Sequence, residues 1–191
     1  MSKISLSPTN DFCPQTLFLY GTYDEDGEPN FGLFCWASYL WDHDLGFMAC
    51  IGGDKLTKDR IRATSVFSAN LVTEKLLPLA DYLGNTEGRS GAKKGLNIAI
   101  EAGKVLNVPI LTESPVSFEL EVFKTIELDD GTVFLCKIKN VLQDGFLSDN
   151  NKSLQERFNA VAPVSATCDS YFSHSGNNLG TWGDPMKLYN K

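Results

Sequence analysis

The sequence is short of the residues from which proteins build metal centres. It has two histidines, His43 and His174, and five cysteines, no two of them close enough for a Cys-x-x-Cys pair. Transition-metal catalysis is left without a ligand set, and an odd number of scattered thiols supplies no disulfide framework. Cys13, Cys35, Cys50, Cys136 and Cys168 therefore read as reduced thiols, most of them in the core. Basic runs are missing as well: 17 Lys and Arg stand against 24 Asp and Glu, a net charge of −7. A nucleic-acid backbone is thus not an expected partner. No apolar stretch nears the roughly 20 residues of a membrane-spanning helix, because Gly21, Gly46 and Asn70 interrupt the longest ones. The first twelve residues lack a basic-then-apolar leader pattern. The expectation is a cytoplasmic protein with neither nucleic acid nor membrane as partner. Gly52-Gly53 fits neither a dinucleotide fingerprint nor a phosphate loop, since the further glycines and the Gly-Lys-Ser/Thr are absent.

What is present is apolar and β-rich. With 191 residues, 42% of them hydrophobic, the chain can fill one core, and residues 1–191 are expected to form a single domain. Residues 16–23 read as a strand running into the Asp26-Gly27 turn signal. The return strand, residues 30–41, is almost wholly apolar and aromatic, and another follows at 45–51; strands apolar on both faces are expected to be buried on both. A short helix at 57–63 has Thr57 as a plausible N-cap and Ile61 as its main apolar anchor. After a strand at 67–72, Leu76, Leu79, Ala80 and Leu83 share a helical face that Gly84 should end. Residues 84–95 carry four glycines and three basic residues without periodicity, which predicts a loop that is mobile unless bound. Alternation over 116–122, the turn at Asp129-Asp130-Gly131 and a second strand at 133–141 predict a hairpin with one wet face, Lys139 coming opposite Glu121. At least six strands, two or three short helices and hairpin connections point to a mainly β (α+β) fold, a small antiparallel barrel with helical insertions.

Two stretches can carry chemistry. Lys55, Leu56, Thr57 and Lys58 put two ammonium groups and a hydroxyl where the first turn of a helix exposes its N–H groups. Such an end binds phosphate, or is simply a capped surface helix with solvated lysines. Arg89, Lys93 and Lys94 form a second cationic group in the glycine-rich loop. The other stretch, with Phe34, Trp36, Tyr39 and Trp41, offers flat faces for an aromatic ligand, or packing for a barrel. With an anion site, an aromatic strand and no catalytic triad, the chemistry falls to a bound cofactor.

At this point the chain resembles a known family. Pro29-Asn30 followed by Phe34-Cys35-Trp36, Thr57-x-x-Arg60-Ile61-Arg62, Phe67-x-x-Asn70-Leu71-Val72, and Gly84-Asn85-Thr86 leading to Gly88 and Lys93 are similar in order and spacing to the flavin reductase-like family, which includes the flavoredoxins. More loosely, residues 115–142 resemble the family's C-terminal hairpin, and Tyr171-Phe172 with Leu179-Gly180 its closing segment. The resemblance implies a Greek-key, FMN-binding split β-barrel with short helices, forming a homodimer with FMN near the subunit interface. It implies phosphate at Thr57 and Lys58 and the isoalloxazine against Asn30, Phe34, Cys35, Trp36 and Ala37. It also implies Asn70 near the ring, Lys93 closing over it, and Tyr171 and Phe172 beside the cofactor. No side chain would be catalytic, the chemistry lying at the flavin N5, fed by NADH, NADPH or a redox protein. A non-catalytic flavin or tetrapyrrole binder on the same barrel is the alternative. This sequence departs from the family at Cys35, where Ser is usual, and at Glu87, Ser90 and Ala92 in the loop; Glu87 is expected to turn away from a phosphate.

Overall fold

The computed structural model describes residues 3–167, 169–174, 176–182 and 184–188; Cys168 lies outside them. The first strand, β1 (Gln15–Thr16), is followed by β2 (Phe18–Tyr23), β3 (Pro29–Phe34), β4 (Ala37–Asp42) and β5 (Asp44–Gly52). Helix α1 (Leu56–Thr64), β6 (Val66–Leu71) and α2 (Leu77–Asn85) come next, then β7 (Ile100–Ala102), β8 (Pro109–Leu111), β9 (Val116–Leu128) and β10 (Gly131–Gln143). Helix α3 (Leu154–Val161), β11 (Val164–Thr167) and β12 (Ser170–Ser173) close the described part. Seven strands form one antiparallel sheet in the order β3-β2-β6-β9-β10-β5-β4. The outermost strands, β3 and β4, are consecutive in the chain and joined only by Cys35 and Trp36. A link of two residues reaches about 10 Å, so the sheet curls until its edges meet.

The expected single strand over 30–41 is therefore two strands on opposite edges. The break is held by Ala37 N–H donating to the Cys35 carbonyl and Cys50 N–H to the Trp36 carbonyl, at 2.9 and 2.8 Å. The aromatic content of the segment does not imply burial on both faces either. Trp36, Tyr39 and Trp41 are 54%, 52% and 77% exposed, because β4 is an edge strand.

Alternation along β2 builds two cores. Phe18 and Tyr20 point into the curl with Phe47, Phe67, Phe118 and Phe134. Leu17 and Leu19 face outward against Phe31, Val72 and the α2 residues Ala80 and Leu83. Tyr20 lies stacked on Phe34, ring centroids 4.8 Å apart. The β2–β3 turn is closed by the Asp24 carboxylate, which accepts from the N–H groups of Asp26 and Glu28. Arg60 of α1 then clamps this turn through Asp24 Oδ2 at 2.8 Å and the Glu28 carbonyl at 2.9 Å.

Several local expectations shift by a residue or a face. Helix α1 begins one residue before Thr57, with Lys55 as N-cap and no side-chain cap; Ile61 is its buried anchor, as the pattern suggested. Gly84 lies inside α2 rather than ending it, because a Cβ there would stand 2.8 Å from Leu33 Cβ. Its role is close approach to β3. Ser117 and Glu119, expected on a wet face, are buried, Ser117 against Asn70 and Glu119 beneath the connection between β7 and β8. Glu119 accepts from the N–H groups of Lys104, Val105 and Leu106 and from Asn140 Nδ2. Burial alone would raise its pKa, and these bonds together outweigh that and hold it below the ordinary glutamate value. Lys139 does reach Glu121, at 3.3 Å, although an irregularity in the ladder makes Lys137 the residue directly opposite. Of the described cysteines none is in a disulfide; Cys136 is buried, Cys35 and Cys50 half-buried, and Cys13 exposed.

Candidate functional site

Edge strand β3 leaves one side of its backbone free, and α1, α2 and the 86–95 loop enclose that side as a cleft. Its volume is about 170 Å³, and its walls include Asn30, Gly32 and Phe34 from β3 and Lys55 and Thr57 from the start of α1. The end of α2, with Thr86, Gly88 and Lys93 beyond it, closes the other side. A second hollow of about 140 Å³ continues past Asn30, Gly88 and Lys93 toward Arg60 and Lys94.

Each wall has a local cause. Asn30 Nδ2 donates to Thr57 Oγ1 at 3.0 Å, fixing the first turn of α1 to the strand, and both residues are buried. Gly32 makes this approach possible, since a Cβ there would lie 2.9 Å from the Thr57 hydroxyl. Gly88 is tight for a similar reason, facing Leu56 Cβ at 3.0 Å and Asn30 Oδ1 at 3.2 Å. The loop expected to be mobile is pinned. Arg89 binds Asp54, at 2.9 Å, and Asp59, while Lys93 Nζ donates to the Phe31 carbonyl on the free edge of β3 at 2.8 Å. Gly91, at φ 78°, supplies the left-handed turn between them.

The electrostatics favour an anion. The first-turn amides of α1 have no side-chain cap, and such amides carry partial positive charge. Arg89 offsets the acidic Asp54 and Asp59 nearby. Among the described residues Lys55 has no ion pair. Burial lowers the Lys93 pKa, with Glu87 opposing that effect and Lys55 adding to it. Glu87, the negative wall residue, turns its carboxylate to the Arg89 N–H at 3.2 Å and Arg89 Nη1 at 3.6 Å.

Of the residues singled out in the sequence, Asn30, Phe34, Thr57 and Lys93 come together around the cleft. Cys35 and Trp36 form the adjoining link, Trp36 resting on Gly52, where a Cβ would be 3.1 Å from its ring. Burial raises the Cys35 pKa, which keeps it a thiol. Ala37 lines a different depression with Tyr39 and Phe47. Lys58 is turned away from the cleft, its ammonium donating to the Gly53 carbonyl; Lys55, one turn earlier, takes the position facing it. Asn70 is on the other side of the sheet with its amide fully used, donating to the Leu19 carbonyl and Ser68 Oγ and accepting from Leu111 N–H and Ser117 Oγ. Its role here is to lock β6 to β2, β8 and β9. Tyr171 donates to Asp81 Oδ1 of α2 at 2.6 Å, and burial together with that carboxylate pushes its pKa up to about 12. Phe172 lies on a separate surface with Phe12 and Pro14. Lys55, singled out in the sequence as part of the helix start, also lines the cleft, as do Gly32, Thr86 and Gly88. Thr86 and Gly88 stood in the motif that resembles the family, whereas Gly32 carries its signal only in the packing.

Residues 11–156 match the family described as the flavin reductase like domain. The chain belongs to this family. A solved flavoredoxin from Methanosarcina acetivorans superposes on this flavin reductase-like chain with a TM-score of 0.86, covering 99% of it and 100% of its own length at 19% identity. The FMN-binding protein of Thermus thermophilus, solved with bound p-hydroxybenzaldehyde, gives a TM-score of 0.76 over 95% of this chain and 98% of its own, at 20% identity. At such identities the likeness is one of fold. An uncharacterized protein of Aeropyrum pernix is 32% identical over 93 residues, which are 48% of this chain and 35% of that protein. The match thus spans about a third of that relative's length.

Proposed function

We propose that this chain is an FMN-dependent oxidoreductase of the flavin reductase or flavoredoxin type, passing reducing equivalents from NADH, NADPH or a protein donor to an acceptor. The observation that carries the reading is the cleft on the free edge of β3, where an anion site and an exposed aromatic link adjoin. Family membership, and the structural likeness to the FMN-binding protein of Thermus thermophilus, support the same choice of cofactor.

The residues fit the group. A flavin mononucleotide needs positive charge and N–H donors for its phosphate, and a flat surface for its ring. Lys55, Lys93, the Thr57 hydroxyl and the uncapped amides of α1 supply the first. Gly32 and Gly88 leave room that a Cβ would fill. Phe34, braced by Tyr20, and the half-exposed Trp36 supply the second. When bound, the flavin supplies two-electron and one-electron chemistry at its own ring. The chain's part is to hold the phosphate, orient the ring against the Cys35 and Trp36 link, and keep Lys93 near the cofactor as a fixed positive charge. Preorganised charge of this kind favours the reduced, more anionic form of a flavin. With Cys35 held as a thiol, no side chain needs to act as acid, base or nucleophile.

The chain acts as a homodimer in this reading. Tyr39 and Trp41 of β4 and Leu45 of β5 are exposed apolar residues at this edge of the sheet, of the kind that a second copy covers. The decisive experiment is the visible spectrum of the purified protein before and after NADH or NADPH under nitrogen, with identification of the released chromophore. Bound FMN that bleaches with a nicotinamide is the expected result. Bleaching by dithionite alone points to a protein donor, and a colourless protein that cannot be loaded with FMN overturns the proposal.

A further inference from the structure

A cavity of about 350 Å³ lies beneath α3 and shares no wall residue with the cleft at β3. Its walls are largely hydrocarbon, from Leu71, Val116, Leu147, Phe158, Val161 and Val164. Set into them is the Arg157 guanidinium. Its Nη1 donates to the Leu147 carbonyl at 2.7 Å, but its Nε is shielded from solvent and has no acceptor. Among the described residues no carboxylate pairs with this arginine. The neighbouring Glu156 is committed elsewhere, its carboxylate capping α3 through Ser153 N–H and Oγ. His174 lines the same cavity, its ring set edge-on to Phe158 at 5.5 Å.

Arg157 is half-buried, and a guanidinium set among hydrocarbon walls with no carboxylate beside it gains from an anion that shares those walls. Where an unpaired guanidinium meets an apolar cavity, the missing partner is an anion that brings its own apolar body. We propose that this cavity is a binding site for a small apolar carboxylate, an aromatic or branched aliphatic acid, separate from the flavin cleft. The carboxylate accepts from the Nη groups of Arg157, the part of the guanidinium that is not walled off. The hydrocarbon part lies against Leu147, Phe158 and Val161. A phosphate fits poorly, because one guanidinium cannot replace the hydration of its greater charge and the walls are mainly hydrocarbon. The volume sits at the lower end for small-molecule pockets, which suits an acid of phenylacetate size. The inference rests on the cavity and Arg157, not on the flavin reading.

The test uses the full chain and two probes of equal shape, phenylacetate and its neutral amide, phenylacetamide. Titration followed by calorimetry and by NMR of labelled methyl groups is expected to show saturable phenylacetate binding with shifts at Leu147, Leu154 and Val161. The amide is expected to bind at least about tenfold more weakly, since it forfeits a hydrogen bond to a charged group. Arg157→Gln is expected to weaken phenylacetate by a similar factor and leave the amide unchanged. The comparison of acid with amide on the unaltered protein keeps the proposal testable if that variant folds poorly. Absence of saturable binding at millimolar phenylacetate, equal affinity for the amide, or shifts confined to the β3 cleft would each overturn it.

Discussion

Asn30 on β3 and Thr57 on α1 are joined by a buried side-chain hydrogen bond of 3.0 Å, across 27 residues of sequence. This contact sets the first turn of the helix against the strand edge and so creates the anion cleft. Thr57 is therefore both a brace and a wall of the site.

Replacing Thr57 with Ala leaves the Asn30 amide without its acceptor. The expected loss of stability is about 1–3 kcal/mol, read from urea denaturation. FMN affinity is expected to fall at least about tenfold in a fluorescence titration, and Thr57→Ser to recover most of both. Unchanged FMN affinity in Thr57→Ala would remove the hydroxyl from the phosphate site.

Lys55 separates phosphate recognition from ring binding. Lys55→Gln is expected to weaken FMN several-fold, at about 1 kcal/mol for a partly solvated charge, while riboflavin, which lacks the phosphate, binds as before. Equal weakening of both flavins would show that Lys55 shapes the cleft without reading the anion.

Glu119 makes stability pH-dependent with a definite sign. Its folded-state pKa lies below the ordinary value of 4.5, so its contribution is fully present above that value and is lost as pH falls through the lower, folded pKa. Glu119→Gln is expected to cost about 1–3 kcal/mol at neutral pH and to flatten the loss of stability on acidification. Urea midpoints at neutral and acid pH, compared between the two proteins, measure this. A variant as acid-sensitive as the parent would assign the acid response to other carboxylates.

The exposed β4 edge makes the dimer testable. Trp41→Glu places a charge in the apolar patch while touching no residue of the cleft, and sedimentation is expected to report a monomer. A protein that remains dimeric as Trp41→Glu, or a parent that is monomeric, would locate the interface elsewhere or nowhere.

Much of the fold could be read along the chain. The Asp26-Gly27 and Asp130-Gly131 turns, the strand at 66–71 and the Ile61 anchor are local signals, and each appears where periodicity and turn chemistry put it. Helix α3, begun by a capping box of Ser153 with Glu156, went unread in the sequence. The break at Cys35 and Trp36 was not legible either, since both flanking segments are β-prone and nothing local distinguishes one long strand from two. Gly84 looked like a stop because glycine commonly ends helices, and its true role depends on Leu33, fifty-one residues earlier.

The candidate site divides in the same way. Residue types singled out the helix start at Lys55 to Lys58, the Arg89, Lys93 and Lys94 group and the aromatic strand with Phe34, whereas Asn30 entered only through the family resemblance. By itself, then, the sequence determined the β-rich class, the hairpins and the family. Only the tertiary structure decided that Lys55 rather than Lys58 faces the cleft, that Asn70 is spent on the sheet, and that the aromatics of β4 lie at an exposed edge. Those outcomes depend on which backbone carbonyls and side chains arrive from distant strands to satisfy each polar group. Such partners are set by sheet order, which no local pattern encodes.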